Sequence, residues 1–254
     1  MAVFTDQCGR KLELNSKPLR IVSTVPSQTE LLHGLGLDAQ ILGITAYCVH
    51  PPHLLKEKSV IGGTKNLQLE KIKALKPDLI IGNKEENIKE QIEELAQDFP
   101  VWLSDINTVE DALVMIKALG EVCQRQEAAA DLLAAINTQR QSNKLKPFRK
   151  ALYFIWKDPY MVAGPNTFIS EMMREAGFEN IAPNIDQRYP SLTMAEIKAL
   201  NPEVILLSSE PYAFNTSDSL DFWNDQREVR IVDGELFSWY GNRMEKAFTK
   251  FRLG

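Results

Sequence analysis

Two stretches of the chain, 125 residues apart, decide the fold because they repeat one pattern. Residues 67–85 read LQLEKIKALKPDLIIGNKE and residues 192–210 read LTMAEIKALNPEVILLSSE, with eight of nineteen aligned positions identical. In the first copy Leu69, Ile72 and Leu75 recur at three-residue spacing, which predicts one apolar helix face. A proline then ends the helix, and the apolar run after it predicts a strand buried on both faces, as in a parallel sheet.

The similarity of the two halves extends upstream of the repeated stretch. RIVSTVPSQTELLHGLG predicts a strand at Ile21–Ser23 and a helix that ends at Gly34 or Gly36. ALYFIWKDPYMVAGPNTFISEMMREAG predicts a strand at Leu152–Ile155 and a helix that ends at Gly177. Each half alternates buried strands with amphipathic helices, which is typical of an α/β lobe with a mainly parallel sheet.

A helical segment separates the two halves. Thr108 and Asp111 predict the start of its first helix, and Gly120 weakens the case for an unbroken helix. Gln126 to Asn143 contains strong helix formers without glycine or proline, and would span about 27 Å. We therefore expect two α/β lobes bridged by a long helix, with a ligand cleft between them. The expected domains are 1–107 (N-terminal lobe), 108–149 (helical segment) and 150–254 (C-terminal lobe, with a last helix at Arg243–Arg252).

Composition excludes several classes of protein. A formal net charge of −5 argues against a nucleic-acid surface, which would need a basic stripe. Three cysteines without CxxC spacing predict no disulfide framework, and no apolar run approaches the roughly 18 residues of a membrane span. The opening MAVFTDQCGRK lacks a basic start followed by an apolar core, so the chain as given is expected in the cytoplasm, and in the periplasm if a leader precedes it.

Several of these stretches together resemble one known family. FTDQCGRKLEL, RIVSTVPSQTE and the two ALxP[DE] blocks are similar to helical-backbone (class III) solute-binding proteins of ABC importers for vitamin B12, haem and iron–siderophore complexes. The likeness covers most of the chain. It implies two Rossmann-like lobes and non-enzymatic binding of a metal-containing complex in the interlobe cleft by a monomer. Within the family, Tyr47, Pro51 and Pro52 match the Y-x-x-x-P-P pattern of the vitamin B12 (cobalamin) binders.

The resemblance also implies that each lobe presents a glutamate to arginines of a membrane permease. Glu70 has this position in the first copy, whereas the second copy has Ala195 there and its acid one residue later, at Glu196. One residue turns a helical side chain by about 100 degrees. Thr193 with Glu196 also forms a capping-box sequence. We expect Glu70 and Glu196 to dock on an ABC permease, unless the protein is a homologue that has left transport.

The candidate ligand-binding residues lie in loops after predicted strands, where open α/β sheets bind ligands. Aromatic rings suit a flat corrin or haem, and an arginine suits the acidic or amide groups of such a ligand. These residues are Pro26, Ser27, Tyr47, Gly63, Thr64, Trp156, Tyr212, Trp239, Tyr240 and Arg243. The competing interpretation is that the aromatics pack in loops and that Arg243 starts a helix or pairs with Glu245.

We expect no metal site formed by the protein itself and no cofactor of its own; cobalamin, haem or a ferric siderophore would be the ligand. His50 and His53, in HPPH, are held in an extended geometry unlike the i, i+4 pair of a helical zinc site. His33 is assigned to the first helix as a surface or core residue. One histidine could still give an axial nitrogen to a bound macrocycle.

Motifs of catalysis are absent from the sequence, including GxGxxG, GxSxG, GK[ST] and HExxH. This favours a binding protein over an enzyme. The alternative is a cytoplasmic enzyme or chaperone of cobamide or tetrapyrrole metabolism. Such a protein would need a titratable group aimed into the cleft, and His50, His53 and Glu210 are the candidates.

Overall fold

The computed structural model describes residues 2–141, 148–219, 222 and 227–253. The chain divides into two compact units. The first unit is the chain up to Ile106, Glu110–Ile136 and Tyr240–Arg243; the second is Asn107–Val109, Asn137–Trp239 and Met244 onward. The expected domain boundaries at 1–107, 108–149 and 150–254 stay a prediction, and most of the helical segment groups with the first unit.

Strands and helices alternate along the chain as the sequence predicts. The elements up to the long helix are β1 (Ala2–Thr5), β2 (Lys11–Leu14), β3 (Ile21–Ser23), α1 (Pro26–Gly34), β4 (Ile41–Ile44), α2 (Leu54–Glu57), β5 (Ser59–Val60), β6 (Gly62–Gly63), β7 (Asn66–Leu67), α3 (Leu69–Ala74), β8 (Leu79–Asn83), α4 (Lys89–Asp98), β9 (Val101–Ser104), α5 (Val109–Val122) and α6 (Gln126–Gln141). The elements after it are β10 (Arg149–Trp156), β11 (Met161–Val162), α7 (Phe168–Glu175), β12 (Phe178–Asn180), α8 (Met194–Leu200), β13 (Val204–Ser208), α9 (Thr216–Ser219), β14 (Glu228–Val232), α10 (Glu235–Ser238) and α11 (Arg243–Leu253).

The first unit is built on a parallel sheet with the order β5-β4-β3-β8-β9. β1 and β2 form a separate antiparallel hairpin, and β6 and β7 form another. Apolar residues of the sheet, α3 and α4 pack into one core, which contains Val22, Ile61, Leu67, Ile72, Ile80, Ile92, Leu95, Val101 and Leu103. Both strands predicted for this half, at Ile21–Ser23 and in the apolar run after Pro77, are therefore buried as expected.

The second unit has a mixed sheet with the order β11-β10-β13-β14. β10 pairs in parallel with β12 and β13, β13 pairs in parallel with β14, and only β11 among the described strands of this sheet runs antiparallel. Its core contains Leu152, Phe154, Val162, Ala182, Leu192, Ile197, Ile205, Leu207, Phe214 and Phe222. The carboxyl ends of the parallel strands thus lie at one edge of the sheet, as in the first unit.

The repeated stretch places the same side chains in both cores. Ile72 of α3 corresponds to Ile197 of α8, and Ile80 of β8 corresponds to Ile205 of β13. All four isoleucines are fully buried. Burying an isoleucine side chain stabilises a fold by about 1.5–3 kcal/mol. Each copy of the repeat therefore contributes one such buried residue from its helix and one from its strand.

The helix of each copy ends in the same unusual conformation. Lys76 has a φ of 47° and Asn201 has a φ of 50°, and each directly precedes a proline. The sequence predicts that Pro77 turns Lys76 away from helical geometry, and this is confirmed. The backbone enters the left-handed region, however, rather than the extended region that usually precedes proline.

The helical segment contains two helices. α5 continues through Gly120. The glycine has a packing role, because a Cβ at this position would lie 2.5 Å from the Cβ of Ala129, and only glycine allows α6 to approach so closely. The longer predicted helix begins at Gln126 as expected and is described to Gln141, so Ser142 and Asn143 of that prediction lie outside the described residues. The division between the two units falls within α6, after Ile136.

Across the described part of the chain, helices are either too short or too polar to cross a lipid bilayer.

Candidate ligand-binding site

Pro26 and Ser27 begin α1 shortly after the end of β3 and form the first turn of that helix. Proline suits this position because its missing N–H would have no helical partner there. Both residues are buried, and the hydroxyl of Ser27 lies among the polar groups around the Tyr240 phenol without forming a hydrogen bond of good geometry. These two predicted residues therefore lie at the carboxyl edge of the first sheet.

Tyr47 and Gly63 form an exposed aromatic surface at the same edge. Tyr47 lies three residues after β4 and is 62% exposed. Its ring lies against Gly63, since a Cβ at residue 63 would be 3.1 Å from Cε2 of Tyr47. Gly62 has a φ of +101°, and a Cβ there would lie 2.2 Å from the carbonyl oxygen of Asn66. The two glycines thus allow a tight hairpin on which the tyrosine ring rests.

Thr64 is held by Asn87, a buried asparagine that is not among the residues predicted from the sequence. The Asn87 amide donates to the carbonyl oxygen of Thr64 at 3.0 Å and to that of Thr24 at 3.3 Å. Its side-chain oxygen accepts from the Thr24 hydroxyl at 2.8 Å and from the Asn83 backbone at 2.9 Å. Asn87 therefore joins three loops at the carboxyl edge. The available signal was an asparagine that ends the buried strand β8, followed by a second four residues later.

Tyr240 is buried beside Glu86. Its hydroxyl lies 3.3 Å from Oε1 of Glu86 and close to Ser27 and Ser104. Burial raises the pKa of the Tyr240 phenol well above its ordinary value, and the charge of Glu86 raises it further. The phenol therefore stays protonated at neutral pH and donates its hydrogen bond.

Arg243 is paired with Glu30. Its Nε donates to one oxygen of the Glu30 carboxylate at 2.8 Å and its Nη2 to the other at 2.7 Å. Such a two-point bond is the strongest common geometry for a guanidinium. A role for Arg243 in ligand binding stays a prediction, and any ligand would compete with this carboxylate.

In the second unit, Trp156 and Tyr212 come together at the end of β10 and beyond β13. Their ring centroids lie 5.8 Å apart with an edge-to-face angle of 68°, and Tyr212 contacts Phe214 at 4.7 Å. Trp156 is 42% exposed. These contacts hold a large aromatic surface open to solvent at the carboxyl edge of the second sheet.

Trp239 is buried against Glu210, which follows the same strand β13. The indole Nε1 donates to Oε1 of Glu210 at 3.0 Å, and the Ser238 hydroxyl donates to the same oxygen at 2.8 Å. Burial raises the pKa of the Glu210 carboxyl, and the charges of Glu235 and Asp233 raise it further, against the lowering effect of these two donors. The indole N–H of Trp239 is thus used to hold Glu210 in place.

The two predicted docking glutamates have different surroundings. The Glu70 side chain is 89% exposed, with one contact to Lys73 at 3.2 Å. Glu196 accepts from the backbone N–H and the hydroxyl of Thr193, both at 2.7 Å, and completes a capping box at the start of α8. These bonds, the backbone one first, lower the pKa of the Glu196 carboxyl. The predicted cap is confirmed, while docking stays a prediction for both residues.

Two of the histidines meet at one carboxylate. His53 and His33 both lie beside Asp38, and their rings are 5.6 Å apart. The sequence does not predict this pair, because nothing in the spacing of His33 and His53 indicates that they meet.

Exposed aromatic and glycine-rich loops beyond parallel strands are the features of a protein that binds a solute, and comparison with known proteins agrees. A family model described as periplasmic binding protein matches residues 21–230. The chain therefore belongs to the periplasmic binding protein family. This membership confirms the expectation of a binding protein rather than an enzyme.

Relatives in sequence and in structure cover almost the whole chain. A vitamin B12-binding protein of Pectobacterium carotovorum is 26% identical over 236 residues, which cover 89% of this chain and 84% of the relative. The periplasmic vitamin B12 binding protein BtuF of Vibrio cholerae superimposes with a TM-score of 0.79 at 23% identity, over 93% of this chain and 96% of BtuF. The periplasmic heme-binding protein RhuT from Roseiflexus sp. RS-1 gives a TM-score of 0.78 at 24% identity, over 94% and 97%. The structural likenesses confirm the predicted fold class.

Proposed function

We propose that this protein binds a metal-containing complex without changing it chemically, as the solute-binding component of an ABC importer or as a homologue of one. The complex would be cobalamin or another corrinoid, haem, or a ferric siderophore, and would be a carried ligand rather than a cofactor. The observation that carries the proposal is the pair of exposed aromatic surfaces, around Tyr47 and around Trp156, in a chain of this family. The names of the relatives, which bind vitamin B12 or heme, support the same ligand class.

The chemistry of the two surfaces fits such a ligand. Adjacent aromatic side chains that are open to solvent, such as Trp156 beside Tyr212, form an apolar patch of the kind that favours contact with a solute. Flat macrocycles offer π faces that pack against aromatic rings with little loss of conformational entropy. The buried amide of Asn87 and the hairpin glycines hold the loop of Thr64 rigid beside Tyr47. Such rigidity lowers the entropic cost of binding.

Titration of the purified protein with cyanocobalamin, cobinamide, haemin and a ferric hydroxamate, followed by calorimetry, tests the proposal. We expect one of these to bind with one site per chain. Trp156→Ala should weaken that binding about tenfold or more, as is usual for a central aromatic contact. Phe148→Ala is the matched control, because Phe148 is also an exposed aromatic, at 48%, but lies next to the opposite end of β10.

Two results would contradict the proposal. One is the absence of heat and of thermal stabilisation with all four compounds. The other is equal weakening by Trp156→Ala and Phe148→Ala, which would mean that the loss is not local to the strand end. Tyr47→Ala extends the same comparison to the first unit.

The docking role of Glu70 is part of the proposal. Its side chain is 89% exposed and, unlike that of Glu196, is not engaged in a helix cap. Glu70→Ala should reduce ligand uptake by cells that depend on this protein while leaving ligand affinity unchanged. Glu94→Ala is the control, because Glu94 also contacts Lys73, at 2.7 Å, without having the docking position. Equal uptake with the Glu70→Ala and Glu94→Ala variants would mean that Glu70 does not take part in docking.

We propose a periplasmic location for the protein. BtuF and RhuT are named as periplasmic proteins, which supports a periplasmic location for this chain, and the cytoplasmic expectation has no support among them. Fractionation of the native cell, with detection by antibody, tests the location. Light scattering of the purified protein tests the expectation of a monomer.

A further inference from the structure

His33, Asp38 and His53 form a compact group of metal-ligand side chains that the proposed function does not use. His33 lies in the last turn of α1, Asp38 in the turn before β4, and His53 at the N-cap of α2. Nδ1 of His33 is 2.8 Å from Oδ1 of Asp38, and Nε2 of His53 is 3.3 Å from Oδ2. One ligand atom from each residue lies within 4.8 Å of the others.

We propose that these three side chains bind a divalent transition-metal ion of the zinc type. Two imidazoles and a carboxylate are a common ligand set for such a site when a fourth position is left to water. With bonds of about 2.0–2.1 Å in tetrahedral geometry, neighbouring ligand atoms would be about 3.3 Å apart, close to the two contacts seen. Imidazole nitrogen favours zinc, nickel, copper or cobalt over magnesium and calcium, which prefer oxygen ligands.

The surroundings of the group suit an ion that enters from solvent. The three side chains are 39%, 39% and 42% exposed, which leaves room for water at the open position. Asp38 is fixed through its backbone, since the Lys58 ammonium donates to its carbonyl oxygen at 2.6 Å. The ammonium also adds a positive charge nearby, which favours a site of moderate affinity over a very tight one.

Metal binding here would join three separate pieces of the first unit. The ion would link the end of α1 to the start of α2, the short helix that follows the Tyr47 loop. His33 is seven residues beyond Pro26, about 10 Å along the helix axis, so the site is distinct from the carboxyl-edge residues. The expected effect is therefore stabilisation of this segment, without direct contact between the ion and the bound solute.

The test uses the untagged, metal-free chain with Co²⁺ and Zn²⁺ as probes. We expect one Co²⁺ per chain with visible absorption bands of a four- or five-coordinate ion, displacement by Zn²⁺, and an upward shift in melting temperature that EDTA reverses. His33→Ala and His53→Ala should each weaken Co²⁺ binding tenfold or more, and Asp38→Asn should weaken it in the same direction. His50→Ala is the matched control, because it removes the remaining histidine, three residues from His53, and should leave binding unchanged.

Two results would overturn the proposal. One is the absence of stoichiometric Co²⁺ binding at millimolar metal, and the other is unchanged Co²⁺ binding in the His33→Ala variant and in the His53→Ala variant. Binding that disappears with Cys8→Ser would assign the ion to the exposed thiol instead. Melting temperatures measured without metal show whether the variants are folded. Because both histidines are half-exposed, we expect each alanine variant to fold and to report on metal binding alone.

Discussion

Arg243 and Glu30, 213 residues apart in sequence, form a two-point ion pair inside the first unit. The side chains are only 5% and 15% exposed. The pair connects the start of α11 to α1, the helix that begins at the carboxyl edge of the sheet. A charge that is buried to this extent needs its partner, because the interior does not replace the water that each group has lost.

Arg243→Met should lower the free energy of unfolding by about 3 kcal/mol, because it leaves the Glu30 carboxylate buried without its partner. Urea denaturation at pH 7 measures the change. The double variant Arg243→Met with Glu30→Met should recover part of the loss, since it removes both charges. Lys89→Met, which breaks an exposed pair with Glu93 of 3.6 Å, is the control and should have no measurable effect. A similar small effect for Arg243→Met would mean that the pair does not stabilise the fold.

The left-handed residues before Pro77 and Pro202 give a reciprocal test. Asparagine adopts this conformation at a lower energetic cost than lysine, so Lys76→Asn should stabilise the protein by roughly 1 kcal/mol and Asn201→Lys should destabilise it by a similar amount. The hydrogen bond from Arg20 to the carbonyl oxygen of Lys76 uses the backbone and survives the substitution. Urea denaturation measures both. Losses of stability in both variants would show that side-chain contacts, rather than backbone conformation, decide the outcome.

Elements with local signals were predictable from the sequence. The buried residues Ile72 and Ile80, the capping box at Thr193 and the start of α6 at Gln126 each follow from spacing within a few residues. The period of a helix, the chemistry of a cap and the burial of an apolar run act over short distances. These features can therefore be predicted from residues close together in the sequence.

Features that depend on tertiary contact were not predictable in the same way. Trp239 and Tyr240 are adjacent in sequence, yet one donates to Glu210 and the other to Glu86, in different units. Pairing of this kind depends on how elements far apart in the chain pack, and no local pattern records it. The same holds for His53, whose polar partner Asp38 lies 15 residues upstream. The placement of Tyr47 and Trp156 at strand ends could be predicted because strands have a fixed direction in a parallel sheet, although Trp156 is the last residue of β10 rather than part of the loop after it.

The capping box gives a prediction with a pH dependence. Hydrogen bonds from Thr193 lower the pKa of the Glu196 carboxyl in the folded protein below its ordinary value near 4.5. The stabilising effect is therefore fully present above pH 4.5 and is lost as the pH falls through the lower folded pKa. Glu196→Gln should unfold at a lower urea concentration than the wild type at pH 6, and the difference should shrink at pH 3. Thr193→Ala should cost about 1 kcal/mol by loss of the cap.

Glu70 provides the control for this test. It also lies in the first turn of its helix, α3, whose N-cap residue Gln68 makes no side-chain capping bond. Glu70→Gln should therefore leave stability at pH 6 nearly unchanged. If Glu196→Gln and Glu70→Gln behave alike, the cap does not contribute to the pH dependence of stability.

Glu210 is predicted to have the opposite pH dependence. Burial raises the pKa of its carboxyl above the ordinary value near 4.5, so the folded protein holds this proton more tightly than the unfolded chain. The stability that the group contributes is fully present below pH 4.5 and is lost as the pH rises through the folded pKa. Glu210→Gln keeps an oxygen that accepts from Trp239 and Ser238 but removes the charge. We expect the variant to be more stable than the wild type in urea at pH 7, with the two converging at pH 4.

The exposed Glu90 on α4 is the control for Glu210, and Glu90→Gln should leave the stability at pH 7 nearly unchanged. Fluorescence of Trp239 gives a second measurement, because its indole N–H donates to the titrating group. In the wild type the tryptophan emission should change as Glu210 ionises, and this change should be absent in Glu210→Gln. A variant that is less stable than the wild type at pH 7 would mean that the ionised carboxylate is the better acceptor for Trp239 and Ser238, and that burial is not the dominant influence on Glu210.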